Sequence, residues 1–197
     1  MVFKVKDYYF KKAKKENFLA RSVYKLEEID EKYRVLKKGN LVLDLGYSPG
    51  SWIQYTSAAI GREGSVIGVD LKEINTQLQS LQNVKLFKKD IFDINDLSNL
   101  EVDRPFDVVL SDMAPDTIGI KTVDQIRSLD LVEKVFKLLP LFLKKGGNFV
   151  IKVFDSHEAQ VFLKDNKNLF KELKYFKPKS TRSISKEFFV IGKGFGA

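Results

Sequence analysis

At 197 residues the chain is long enough for one domain and short for two independent cores. Its hydrophobic share of 44% against 30% charged residues excludes a disordered chain, and the absence of cysteine excludes a disulfide scaffold, a thiolate-bound metal and a thiol nucleophile. The formal charge of +8 is uneven: residues 1–40 carry a net +6, residues 41–163 a net −4 and residues 164–197 a net +6. Basic ends around a mildly acidic middle fit either a polyanion that touches both ends or plain solvated faces.

No apolar run reaches the roughly 18 residues of a membrane helix. The start Met1-Val2-Phe3-Lys4 has basic residues but no apolar h-region, so a secretory signal is not expected and a cytoplasmic, membrane-free protein is. The first 20 residues mix cations (Lys4, Lys6, Lys11, Lys12, Lys14, Lys15) with aromatics (Tyr8, Tyr9, Phe10, Phe18). Val23, Leu26, Ile29 and Tyr33 recur near helical spacing and predict a helix from Arg21 to about Leu36, broken by Gly39. Leu41 to Leu45 reads as a buried strand, residues 51–60 as a helix closed by Gly61, and Ser65 to Asp70 as a second strand. Further strands are expected at 84–87 and 106–110. A long helix follows over 123–144, bent near Pro140 and stopped by Lys144, Lys145 and Gly146. A fifth strand over 148–154, a helix over 157–170 and two strands near 173–177 and 187–192 close the chain. Strands alternating with helices predict an α/β protein with a mostly parallel, seven-stranded sheet flanked by helices.

In such sheets ligands sit at the carboxyl ends of the strands. Asp44, Asp70, Asp90 and Asp112 all fall at or just beyond strand ends. Each alone fits a helix or turn cap as well as a site; four at one edge favour a site. The loop Asp44-Leu45-Gly46-Tyr47-Ser48-Pro49-Gly50-Ser51-Trp52 has glycines that let backbone approach a ligand closely. It lacks the Gly-x-Gly-x-x-Gly of dinucleotide enzymes and the Gly-Lys-Ser/Thr of a phosphate loop, so a nucleoside fits better than a pyrophosphate. Asp70, about 20 residues on, suits the two hydroxyls of a ribose, and a nicotinamide-dependent oxidoreductase would share it. The pattern resembles the cofactor loop of class I, Rossmann-like methyltransferases, which implies S-adenosylmethionine.

Absences narrow the chemistry. No cysteine closes the covalent route to C5-methylated pyrimidines. Asp112-Met113-Ala114-Pro115 is not the Asn/Asp-Pro-Pro-aromatic of enzymes that methylate base amino groups, and the only histidine, His157, is expected on a helix surface. Lys152, inside the apolar run Phe149-Val150-Ile151-Lys152-Val153-Phe154, is harder to dismiss as a surface lysine, because burying an ammonium costs several kcal/mol unless it is paired. Lys25 and Glu187, taken alone, read as a surface lysine and a strand-edge acid.

Taken together, Asp7-Tyr8-Tyr9, Arg21-Ser22, Tyr24-Lys25-Leu26, Glu28-Ile29, Asp44-Leu45-Gly46, Pro49-Gly50, Trp52, Ser111-Asp112-Met113-Ala114-Pro115, Lys152-Val153-Phe154, Arg182 and Glu187 resemble, in order over nearly the whole chain, the FtsJ/RrmJ family of ribose 2′-O-methyltransferases acting on large-subunit ribosomal RNA. The resemblance implies a Lys-Asp-Lys-Glu catalytic tetrad at Lys25, Asp112, Lys152 and Glu187. It implies cofactor contacts at Asp44, Gly46, Pro49, Gly50, Trp52, Asp70, Asp90 and Asp112, and no metal. It departs from the family where Tyr47-Ser48 replaces Ala-Ala and where Ile184 stands in place of an arginine.

The expected chemistry has a neutral Lys152 accept or steer the proton of the ribose hydroxyl, with Lys25 supplying positive charge, Asp112 holding Lys152 and Glu187 orienting Lys25. RNA is expected to meet Lys4, Lys11, Lys12, Lys15, Arg21 and Arg182. The nearby aromatics either stack on bases or anchor the segment. The chain is expected to be a single methyltransferase domain over 1–197, monomeric, with residues 1–20 as a basic segment on RNA. The rival readings are a transfer-RNA or organellar enzyme and a catalytically silent RNA-binding module.

Overall fold

The computed structural model describes residues 8–115 and 118–196, so the expectation for Lys4 lies outside them. Seven strands form one sheet: β1 (Leu41–Leu45), β2 (Ser65–Asp70), β3 (Val84–Lys88), β4 (Phe106–Ser111), β5 (Leu143–Phe154), β6 (Phe170–Phe176) and β7 (Glu187–Phe195). They run in the order β3-β2-β1-β4-β5-β7-β6, with β7 antiparallel to both neighbours and the first five strands parallel. The chain steps outward from β1 to β3 and then returns to β4 on the other side of β1. That reversal opens a crevice at the carboxyl ends of β1 and β4, where ligands bind in open α/β sheets.

Both faces of the central strands are covered, which is why β1 and β4 are buried at every position rather than at alternate ones. On one face Val42, Val66, Val108, Leu110, Val150 and Phe189 pack against α2 (Val23–Tyr33) and α3 (Ser51–Ile60). On the other, Leu43, Val109, Phe149, Ile151 and Val153 pack against α4 (Lys121–Phe142) and α5 (His157–Asp165). A first helix, α1 (Tyr8–Lys15), docks on α2 through Ala13, Val23 and Tyr24. Among the described residues no helix is long and apolar enough to cross a membrane.

Several element boundaries differ from the sequence reading. The expected stop signal at Lys144–Gly146 is not a helix end: α4 finishes at Phe142 and Leu143 already pairs with Phe106 of β4. Leu143 is 2% exposed there and Lys144 bonds to Asp107, so tertiary pairing claims residues that the local pattern assigns to a cap. The helix expected over 157–170 ends at Asp165, and β6 starts at Phe170 rather than near 173. Phe170 stacks on Phe149 with ring centroids 5.6 Å apart and occupies space that a side chain at Gly192 would fill, a Cβ there falling 2.6 Å from its ring. The helix expected from Arg21 to Leu36 shortens to Val23–Tyr33, because Arg34 turns left-handed and Val35 and Leu36 leave the helix to be buried.

Candidate active site

The cofactor side is assembled from the turns that follow β1 and β2. Gly46 leaves β1 with φ +75° and gives its N–H to the Val69 carbonyl at 2.8 Å. A side chain there would be strained twice, by that φ and by a Cβ 2.4 Å from Met113 Cγ and 3.0 Å from Met113 Cα. Ser48–Pro49 is a cis peptide, and Gly50, with φ +116°, starts α3 under Leu78. Asp70 ties this loop to β2: one carboxylate oxygen accepts the Ser48 N–H at 2.9 Å, the other the Lys72 N–H at 2.8 Å. Asp90 accepts the Phe92 N–H at 2.9 Å, so it caps a short 3-10 helix while still facing the crevice.

A cavity of about 670 Å³ opens between these turns. Gly46, Asp70, Asp90 and Asp112 line it; Asp44, Pro49, Gly50 and Trp52 are not among its lining residues. Trp52 faces the opposite way: its indole N–H donates to the Ser22 carbonyl at 2.8 Å and its ring packs against Phe189. Pro49 accepts from the Asn75 side chain at 3.1 Å. Asp44 lies just beneath, fully buried, with neither carboxylate oxygen partnered among the described residues. Burial first, then the nearby charges of Asp112 and Asp70, push its carboxyl well above the ordinary range. The ring of Tyr47, where the family has a small residue, is buried against Gly68 and Ile53, and burial with Asp70 and Asp44 nearby pushes its hydroxyl up to about 12.

The acceptor side is assembled by long-range pairs. Lys152 is 8% exposed in β5; its ammonium donates to the Asp112 main-chain oxygen at 2.5 Å and lies 3.0 Å from Asp112 Oδ1, an ionic approach rather than an aligned hydrogen bond. In the β5–β7 ladder Lys152 faces Phe189 and Phe154 faces Glu187, so Lys152 and Glu187 stand two positions apart on one face. Lys25, from α2, crosses to that face, forms an ion pair with Glu187 and lies 5.8 Å from the Phe189 ring centre. Burial, the largest influence on Glu187, opposes its charge. Lys25, then Lys152 and the Ser185 hydroxyl, outweigh burial and hold the carboxyl below the ordinary range. All four tetrad residues thus meet at one strand edge, in two linked pairs.

The basic residues divide. Lys11 and Lys15 are exposed on α1, whereas Lys12 is engaged, 4.2 Å from the Tyr24 ring centre and 3.9 Å from Glu27. Arg21 donates to the Ser180 carbonyl, lies 5.5 Å from the Tyr9 ring centre and is close enough to Arg182 for the two charges to oppose each other. Burial, then Arg182, lowers its pKa, with Glu187 countering. The aromatics divide as well: Tyr9 packs on Tyr24, while Tyr8 and Phe10 are 71% and 49% exposed. Four residues of the neighbourhood were assigned no role by the sequence. Arg127 and Asp130 reach the cavity from α4, visible only as an i,i+3 pair, and Met113 closes over Gly46. Glu28 binds the β6–β7 connection, which no local pattern could reveal.

The description of FtsJ-like methyltransferases matches residues 18–195. The chain is 46% identical over 196 residues to the Ribosomal RNA large subunit methyltransferase E of Bdellovibrio bacteriovorus, covering 98% of each, and 46% identical over 193 residues to that of Syntrophobacter fumaroxidans, covering 98% of the chain and 97% of the relative. A crystal structure of a ribosomal RNA methyltransferase from Plasmodium falciparum superposes with a TM-score of 0.77 at 27% identity, over 90% of this chain and 98% of that one. Aeropyrum pernix fibrillarin, solved with natively bound S-adenosyl-L-methionine, shares the fold, with a TM-score of 0.60 at 16% identity over 80% of this chain and 68% of that one.

Proposed function

The chain belongs to the FtsJ-like methyltransferase family, and we infer that it is a monomeric, cytoplasmic enzyme that methylates a ribose 2′-hydroxyl of large-subunit ribosomal RNA with S-adenosylmethionine. The observation that carries the reading is Lys152: an ammonium inside a buried strand, held by Asp112 at the mouth of the cavity and flanked by the Lys25–Glu187 pair.

The residues present fit the cofactor. Asp44 is a buried acid with no donor among the described residues, next to a crevice kept open by a glycine whose Cβ would collide with Met113. Such an acid suits a ligand that brings positive charge or hydrogen-bond donors. Asp70 would take the ribose hydroxyls of S-adenosylmethionine, Asp90 its base end and Asp112 its methionine amino group, with Gly46 allowing close backbone approach. When bound, S-adenosylmethionine supplies an electrophilic sulfonium methyl.

The chain's own residues do the rest. Asp112 grips Lys152 through both its main-chain and side-chain oxygens, which points the ammonium group along the strand edge. Lys152 steers the proton of the ribose hydroxyl out to solvent water as the oxygen attacks, and Lys25 lends charge that stabilises the alkoxide as it develops. Glu187 fixes Lys25 and balances its charge. Holding nucleophile and methyl in line supplies the remaining advantage. RNA is drawn in by Lys11, Lys15, Arg21 and Arg182, with the basic segment over residues 1–20 tracking phosphates.

Labelled methyl transfer to isolated large ribosomal subunits, followed by mapping of ribose methylation, tests the reading. A single 2′-O-methylated nucleotide is expected. Label on a base, or on transfer RNA alone, would overturn the substrate assignment.

A further inference from the structure

Beyond the tetrad, one stripe of α2 and the turn before it fastens both ends of the β6–β7 connection. Arg21, Lys25 and Glu28 are spaced four and three residues apart, so they share a side of the helix. Glu28 spreads its carboxylate over two consecutive backbone N–H groups of the connection, Lys179 at 2.7 Å and Ser180 at 2.9 Å. Arg21 donates to the carbonyl of the same Ser180. Lys25 holds Glu187, where the connection ends. Between these anchors lies Arg182, exposed and electrostatically coupled to Arg21.

The tether is not a by-product of core packing. Ser180 and Thr181 are 1% and 9% exposed, and neither hydroxyl has a partner among the described residues. Burying two hydroxyls that have no partner among the described residues opposes docking of the loop. A charge-assisted, two-pronged hydrogen bond from Glu28 offsets that cost. It also keeps the Arg182 guanidinium near that of Arg21, which bonds to the same stretch of the connection.

We propose that Glu28 is a positioning residue for RNA: it clamps the β6–β7 connection so that Arg21 and Arg182 present a preformed phosphate site beside the Lys25–Glu187 pair. This rests on the ribosomal-RNA reading above. Glu28 touches no reacting atom and acts through the two arginines.

The test compares wild type with Glu28→Ala and Glu28→Gln. In Glu28→Ala the amides of residues 179–185 are expected to exchange hydrogen about tenfold faster or more, as loss of a charge-assisted hydrogen bond allows. KM for isolated large subunits should rise by roughly tenfold, while kcat and S-adenosylmethionine affinity stay within about twofold. Glu28→Gln keeps the shape and one acceptor oxygen, so it should recover part of the KM and the protection; it also serves if Glu28→Ala does not fold. Wild-type exchange in the connection, or a KM unchanged in both folded variants, overturns the clamp. A fall in kcat with KM unchanged overturns the positioning role in favour of a catalytic one. If wild-type enzyme transferred no methyl to the subunits, the proposed function would fall, while the exchange comparison would still judge the clamp.

Discussion

The two halves of the site are built by opposite means. On the cofactor side, bonds span a modest stretch of chain: Asp70 holds Ser48 across 22 residues and Lys72 across 2, and Gly46 bonds to Val69 on the neighbouring strand. On the acceptor side, Lys25 reaches Glu187 and Glu28 reaches Lys179 and Ser180, across sequence separations of 162, 151 and 152 residues. The carboxylates behave accordingly. Asp44 is buried among other acids and resists ionisation; Glu187 is buried among lysines and ionises more readily than a free side chain. One half is poised to receive a cation, while the other has already neutralised its charges within the chain.

Lys152→Ala should break the contrast most sharply. Turnover on large subunits is expected to fall by roughly 10²–10⁴-fold, the range of a lost proton-transfer group, with S-adenosylmethionine affinity nearly unchanged. Single-turnover methyl transfer alongside cofactor titration would check it. A parallel loss of cofactor affinity would show that the halves are not separable.

The next effect is on stability. Lys25→Met leaves Glu187 half-buried without its main partner, which should cost roughly 3 kcal/mol in urea unfolding. The acid response carries a sign. Because Glu187 titrates below its unfolded value, its contribution is full above about pH 4.3 and is lost as pH falls through the lower, folded value. In Lys25→Met that acid-side loss should begin at higher pH. Asp44 should show the reverse. Its folded pKa is raised, so its cost is absent below about pH 3.9 and grows as pH rises towards the folded value. Asp44→Asn is therefore expected to melt at a higher temperature than wild type at neutral pH without cofactor, yet bind S-adenosylmethionine more weakly. Melting curves across pH 3–8 test both signs. Parallel pH profiles in the two variants would contradict the contrast.

Gly46→Ala should cost about 1–3 kcal/mol and weaken S-adenosylmethionine binding, since a Cβ forces Met113 away from the crevice. Thermal melts and cofactor titration read it. The smallest effects belong to Lys11→Ala and Lys15→Ala. Each exposed cation removed should lower the slope of log affinity against log salt by about 0.7–1, with stability within ±0.5 kcal/mol. An unchanged slope would remove the N-terminal segment from the RNA surface.

The sequence alone was enough for the α/β class, the seven strands, the strand-end acids and the glycine loop, because these follow from short-range rules. Buried parallel strands must be apolar runs, and a backbone that turns with positive φ wants glycine. Lys152 was legible for the same reason, as a charge that its strand could not otherwise justify. The ends of α4 and α5 were not, because Leu143 and Phe170 are claimed by partners distant in the chain, Phe106 and Phe149. Nor was the turning of Trp52 towards Ser22 rather than the crevice, or the grip of Glu28 on the β6–β7 connection. Whether Lys25 is a surface lysine or half of a buried pair depends on which strand α2 covers, and only the sheet order decides that: β7 inserted beside β5 brings Glu187 under the helix.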